Sequence, residues 1–356
     1  MTTSTAAAAA ATIEKAPGYR RIATEEAWAP PELINLFQRE LKAKTIDDPG
    51  FYSLWGFFAG ASDRAQALLG RIQDIGDRRL ADMDATGIDQ QILALTAPGV
   101  QIFEADLATA LATRFNDELA EAVARHPTRF AGLAAIAPQD PLRAAQELER
   151  AVRGLGLKGA VVNSHTRGEY LDDPKFWDIF AACEALGVPL YLHPTTPSKA
   201  MIEPYLARGL DGAVFGFAAE TGLHALRMIV AGVFDRFPRL QIVLGHLGEA
   251  LPYWLYRLDF MHGVIVRTKR YASAPPLQKP ISAYLRENFH YTTSGMGWAP
   301  PIMYVHGVMG ADRLLYAMDY PYEFVAEEVV TQDNLPLSPA DKLKFFQTNA
   351  ERLFGL

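Results

Sequence analysis

The chain has 356 residues, 49% of them hydrophobic and 21% charged, with a net charge of −7. That length can bury a large core without disulfides, and the interspersed charges leave no basic stripe for nucleic acid. No apolar run reaches the roughly 18–20 residues a bilayer span needs, and the lone Cys183 cannot pair within the chain, which fits a reducing, cytoplasmic setting.

After Met1 the sequence is Ser, Thr and Ala only as far as Ala11, and the first cationic side chain is Lys15. A secretory signal needs an early positive segment, so residues 1–20 read as a flexible arm and 21–356 as the folded domain. The first predicted strand is Arg21–Ala27, carrying the pair Glu25-Glu26. Side chains alternate across a strand, so one of the pair points inward and the other is expected to be solvated or salt-bridged. A long insertion follows, at about 30–72. Its aromatic run from Phe51 to Phe58 suggests a lid or pocket wall, or else a satellite core.

Seven further β-rich runs alternate with helical patterns. The runs are Gln90–Thr96, Phe130–Pro138, Gly159–His165, Val188–Pro194, Gln241–Leu247, His290–Gly295 and Leu314–Pro321. Several are nearly continuously apolar, as strands covered on both faces are. Between them, Leu107–Arg125 repeats apolar residues every fourth position, and Pro141–Val152 and Pro174–Leu186 each open with proline in the first turn. Asp341 to Phe354 reads as a terminal helix, with Ser338 and Pro339 as cap and first turn. Eight strands with helices between them predict an α/β fold, a closed (β/α)8 barrel of the TIM type with a lid-like insertion after the first strand. An open doubly wound sheet competes, but no Gly-x-Gly-x-x-Gly turn follows the first strand.

In such a barrel, function sits at the C-terminal strand ends. Those ends carry Glu25 and Glu26, Thr96, Gln139, Asn163 and His165, His193, His246, Thr292 and Thr293, and Asp319. His193, His246 and Asp319 each close an apolar run, where an imidazole or carboxylate is costly unless paired or ligated. Any one of them alone reads as a satisfied core residue. Three on three strands point to a metal or catalytic site. His126 reads as solvated and His224, His262 and His306 as structural, whereas His165 is a possible pocket residue and His290 begins its strand at the far end.

Glu25-x-Ala27, His193-Pro194, Gly245-His246-Leu247-Gly248-Glu249 and Asp319-Tyr320-Pro321 resemble the metal-dependent aromatic acid decarboxylase branch of the amidohydrolase superfamily. The resemblance runs from about Arg21 to Phe354, and its nearest pattern is that of the 5-carboxyvanillate decarboxylases. It implies Glu25, His193 and Asp319 as metal ligands, with His246 hydrogen-bonded to Asp319 and oriented by Glu249. It implies that Arg257, on the helix His246 opens, meets a substrate carboxylate. Arg64 and Tyr322 would hold a second, retained carboxylate. Departures fall at the pocket rim: Trp28 for phenylalanine, Thr293 for asparagine and Glu323 for glutamine. Ala27 removes a histidine ligand seen in other members.

The implied cofactor is one divalent ion. Mostly oxygen ligands favour Mn²⁺ or Mg²⁺, and His plus carboxylate also suits Zn²⁺. The implied reaction protonates the ring carbon, with Asp319 as acid and His246 setting its proton inventory, and then releases carbon dioxide. The expected partner is a small aromatic carboxylate: 5-carboxyvanillate or an analogue, or alternatively a γ-resorcylate or 2,3-dihydroxybenzoate type acid. The resemblance also implies a homodimer or homotetramer and a place in aromatic-compound catabolism, lignin degradation included. A mononuclear lactone hydrolase, a hydratase and a non-catalytic aromatic-acid sensor are the competing readings. The missing His-x-His on the first strand, and the missing lysine after the fourth, weaken a binuclear hydrolase.

Overall fold

The computed structural model describes residues 18–356 apart from 61 and 274, so most of the expected arm lies outside the described residues. The strands are β1 (Ile22–Trp28), β2 (Gln90–Leu95), β3 (Phe130–Gly132), β4 (Ala134–Ala135), β5 (Ala160–Asn163), β6 (Leu190–His193), β7 (Ile242–Leu244), β8 (Phe289–Thr292) and β9 (Leu314–Leu315). All pairings are parallel and sequential, β1-β2-β3 and β4 through β9. Leu133 separates β3 from β4 within one stave, and its N–H reaches the Leu93 carbonyl at 2.9 Å. The cylinder closes where Thr24 N–H donates to Tyr316 at 3.0 Å and Ala27 N–H to Tyr320 at 2.7 Å. The eight predicted strands are therefore the eight staves of a (β/α)8 barrel.

Alternation along the strands sorts the core into two clusters. Ile22, Ile92, Leu133, Val161, Val243 and Leu315 point inward and plug the cylinder, with Ala350 and Phe354 of the last helix among them. The larger cluster fills the layer between the strands and the surrounding helices. The terminal helix begins as expected, with Ser338 Oγ accepting the Asp341 N–H at 3.1 Å. Among the described residues no helix is long and apolar enough to cross a membrane.

The insertion after β1 is helical: α1 (Pro31–Ala43), α2 (Pro49–Phe58) and α3 (Asp63–Ile72). Asp48 and Ser62 cap α2 and α3 with side-chain oxygens. The aromatic run lies on α2 and splits by helical phase. Phe51 and Trp55 pack on Phe37 of α1, and the Trp55 indole N–H donates to the Ala97 carbonyl at 3.1 Å. Leu54 and Phe57 turn instead toward a cavity above the barrel mouth. The segment is thus both satellite core and pocket wall.

Candidate metal centre and active site

The register of β1 slips between Ala23 and Glu26, and this bulge decides where both glutamates go. Glu25 turns into the barrel mouth, where its Oε2 accepts the Tyr191 hydroxyl and, at 2.6 Å, the Thr292 hydroxyl. Its Oε1 is buried and has no hydrogen-bond partner among the described residues. Glu26 is neither solvated nor ion-paired, contrary to expectation. It is buried beneath the loop after β9 and accepts N–H groups from Met318 at 2.9 Å, Tyr320 at 3.2 Å and the Gln91 amide at 3.3 Å. Burial raises the Glu26 carboxyl to about 8, against the pull of the Met318 N–H and the Arg79 guanidinium.

His193 stands at the end of β6. Its Nδ1 lies 2.9 Å from the Pro194 carbonyl, which fixes the proton there and leaves Nε2 free to ligate. Nε2 is 3.7 Å from Glu25 Oε1. Burial lowers the His193 pKa although Glu25 and Asp319 oppose it, a shift toward the neutral ring that a ligand needs. His246 Nε2 is 3.8 Å from the same Glu25 oxygen and 3.9 Å from Asp319 Oδ2. The expected His246–Asp319 hydrogen bond is therefore too long to be one. The Glu249 contact is real: Nδ1 to Oε1 is 2.8 Å. Desolvation disfavours charge on His246, yet Glu249, Glu25 and Asp319 together hold its pKa well above the usual histidine range.

This geometry rests on an uncommon backbone. His246, Leu247, Gly248, Glu249 and Ala250 all have positive φ, between 49° and 84°. Five successive left-handed residues make a left-handed turn, which costs roughly 1–2 kcal/mol at each non-glycine position. The turn brings Glu249 back beneath His246. At Gly248 a Cβ would come within 2.7 Å of the Tyr291 ring, so glycine is required by space as well as by φ. His246 consequently does not open the next helix. A 3₁₀ segment, Leu251–Trp254, intervenes before the helix Leu255–Thr268. Arg257 is thereby carried outside. It lines a separate apolar groove with Phe215, Trp254 and Met261, and does not reach the chamber within one chain.

The chamber has a volume of about 210 Å³ and is walled by Leu54, Phe57, Phe58, Leu68 and Phe217, with His193, His246 and Asp319 exposed on it. Its other polar groups are Arg64, Thr96, Tyr322 and Glu323. Tyr322 and Thr96 share a hydroxyl contact of 2.5 Å, and burial pushes the Tyr322 phenol up. Two further expected pocket residues are elsewhere. The Thr293 hydroxyl is buried against the Ala317 backbone and Gln332 Oε1, at 2.9 Å to the latter, where it braces the β9 loop. Trp28 is buried in the outer core. His165, the possible pocket residue, has both ring nitrogens engaged, by Thr196 O and the Gly168 N–H.

Tyr191 was not singled out from sequence, and Glu26 was named there without its role. Tyr191 precedes His193 by two, so alternation places both on the inward face of β6, and that signal was available. The Glu26 role depends on a bulge that no local pattern announces.

The donor set fits a divalent cation. Among the described residues no three acidic, histidine or cysteine side chains close into a finished cage. Yet two atoms each about 2.2 Å from one ion lie at most about 4.4 Å apart, and of the implied ligand pairs the His193–Glu25 gap of 3.7 Å meets that limit; His246, which is not itself an implied ligand, stands 3.8 Å from Glu25 and 3.9 Å from Asp319. The orphaned Glu25 Oε1 supplies an acceptor that nothing in the protein satisfies. Gly245 leaves the space: a Cβ there would stand 2.9 Å from that oxygen.

The model of the amidohydrolase family matches residues 62–356. The chain belongs to the amidohydrolase family. Among members of this family, a γ-resorcylate decarboxylase from Polaromonas sp. (strain JS666 / ATCC BAA-500) is 41% identical over 297 residues, 81% of this chain and 90% of that relative. The crystal structure of 5-carboxyvanillate decarboxylase from Novosphingobium aromaticivorans DSM 12444, complexed with manganese and 4-hydroxy-3-methoxy-5-nitrobenzoic acid, is similar at a TM-score of 0.93 and 54% identity, covering 95% of this chain and 97% of that one. A dihydroxybenzoic acid decarboxylase from Polaromonas sp. JS666, with bound manganese and 2-nitroresorcinol, is similar at a TM-score of 0.83 and 37% identity, covering 95% and 97%. Within that barrel, His193 ends β6 while His246 and Asp319 follow β7 and β9, and all three line the chamber.

Proposed function

We propose that this chain is a metal-dependent carboxy-lyase that removes a ring carboxylate beside a phenolic hydroxyl, with 5-carboxyvanillate or a close analogue as substrate. The observation that carries the reading is the unsatisfied, buried Glu25 Oε1, 3.7 Å from His193 and 3.8 Å from His246, two of the side chains that with Asp319 line an aromatic-walled chamber. A chamber smaller than the roughly 300 Å³ at the low end of ordinary ligand pockets suits a one-ring acid. The γ-resorcylate class is the second reading, favoured by the sequence relatives.

Glu25, His193 and Asp319 would hold the ion, and manganese is the assignment that the two related structures support. When bound, the metal supplies a template and Lewis acid for the phenolic oxygen and the adjacent carboxylate. Asp319 delivers a proton to the carboxylated ring carbon. His246, held by Glu249, sets the position and charge around that proton. The carbon–carbon bond then breaks, its electron pair returns to the ring, and carbon dioxide leaves. Arg64 and Tyr322 hold the retained carboxylate; among the described residues no acidic group pairs with Arg64, so its fork is available for a bidentate contact. Ala27 supplies no further ligand.

We place a homo-oligomeric contact on the exposed apolar face around the helix Leu255–Thr268. Tyr253 and Tyr256 there are 71% and 82% exposed, and Phe260 and Arg257 lie on the same helix. The buried, reduced Cys183 suits the cytoplasm. The test of the function is a panel of phenolic acids given to manganese-loaded protein. Carbon dioxide should be released with loss of one carboxylate by mass, and no release from any member would reject the reading.

A further inference from the structure

The Glu323 carboxylate borders the chamber next to Asp319 and His246, and the reaction described above gives it no task. It lies over Gly295, whose φ is +60°. A Cβ there would stand 2.4 Å from Glu323 Oε2 and 3.3 Å from His246 Cδ2, so this glycine makes room for the carboxylate. Among the described residues no N–H or O–H donor is hydrogen-bonded to either Glu323 oxygen; burial, with the like charge of Asp319 adding to it and His246 opposing, raises its carboxyl to about 7, so it is ionised at alkaline pH. When a ring enters and displaces water, an acceptor without a donor is costly. The donor has to come with the substrate.

We infer that Glu323 accepts a hydrogen bond from a second hydroxyl on the substrate ring, and so favours a dihydroxylated acid over its O-methyl ether. This rests on the decarboxylation proposed above and, within it, moves the substrate from the methoxylated 5-carboxyvanillate to its dihydroxylated analogue. An ionised carboxylate only accepts, and so does an ether oxygen, so a methoxy group facing Glu323 sets two acceptors against each other. A glutamine amide donates as well as accepts and would tolerate either group.

The test uses ligands that need no turnover. Protocatechuate and vanillate differ by one methyl group, and their affinities are measured by calorimetry on the manganese-loaded full chain and on Glu323→Gln, at pH 8.5. The wild type should bind the dihydroxy acid at least about tenfold more tightly, and the variant should lose most of that ratio. Tighter vanillate binding by the variant would also show that its site is folded. Equal or reversed preference in the wild type overturns the inference. So does a preference unchanged in Glu323→Gln, since it would then come from catechol chelation alone. Carbon dioxide release from the corresponding 5-carboxy acids is scored separately, so decarboxylation can stand while the Glu323 assignment falls, and the reverse.

Discussion

Glu26 grips Asp319 from below: its two carboxylate oxygens accept the backbone N–H groups of Met318 and Tyr320, the residues on either side of Asp319. Asp319 itself has a φ of 54°, a left-handed conformation that a non-glycine residue holds only under constraint. Arg79 extends the grip. Its guanidinium donates to the Ala27 carbonyl at 2.7 Å and to Gln91 at 3.2 Å, and stacks over the Tyr320 ring.

Replacing Glu26 with glutamine keeps the shape but turns an NH₂ toward a backbone N–H. Manganese affinity should fall by about 10–100-fold, as for other residues that orient ligands, and stability by about 1–3 kcal/mol. Metal titration and denaturant unfolding check both. Unchanged manganese affinity would reduce Glu26 to a packing role.

Asp319→Asn removes the proposed acid while keeping an oxygen ligand. Bound manganese, measured by elemental analysis, should persist. The kcat should drop by about 10²–10⁴-fold. Near-normal turnover would reject the proton-donor assignment.

Arg64→Ala removes the only arginine or lysine on the chamber wall among the described residues. KM should rise by about tenfold or more for a substrate with two carboxylates, and much less for one with a single carboxylate, at similar kcat. Equal effects on both substrates would contradict the second-carboxylate pocket.

His224 offers a pH test at a residue that does not line the chamber. It is fully buried; its Nε2 accepts the Leu171 N–H at 2.9 Å, and its Nδ1 is 3.2 Å from Ser164 Oγ. Desolvation, with His165 and Arg227 nearby, lowers its pKa to about 3. The unfolded chain therefore takes up a proton that the folded chain refuses. This contribution is complete above about pH 6.5 and is lost as pH falls toward 3, by about 1.4 kcal/mol per pH unit. Unfolding free energies at pH 7 and pH 5 should differ accordingly, and His224→Asn should flatten that slope while lowering stability at pH 7. An equal slope in the variant would assign the dependence to other groups.

The barrel was legible because alternation and apolar runs are local signals, and eight of them in sequence leave few topologies. His193, His246 and Asp319 stood out for a related reason: an ionisable group ending an apolar strand is expensive wherever it is not used, whereas Glu25, inside β1, is marked as a ligand only by the resemblance. Arg257, placed by the resemblance on a helix opened by His246, lines a separate groove, because the chain turns left-handed and then runs through a 3₁₀ segment before that helix begins. Thr293 and Trp28 were misplaced because residue numbers at a strand end do not reveal which side chains face the mouth. Glu26 was read as spare because side-chain alternation assumes a regular strand, and a bulge interrupts this one.

The left-handed turn after β7 also limits how this segment can change. Glycine would relieve the backbone at Leu247, Glu249 or Ala250, but at Leu247 it would empty a buried position, and at Glu249 it would free the His246 ring. Ala250 is exposed and contributes no side chain to the chamber, so only there is relief of handedness independent of chemistry. Mutational drift through these five positions is thus confined to a narrow corridor, set by mirror-sense geometry as much as by catalysis.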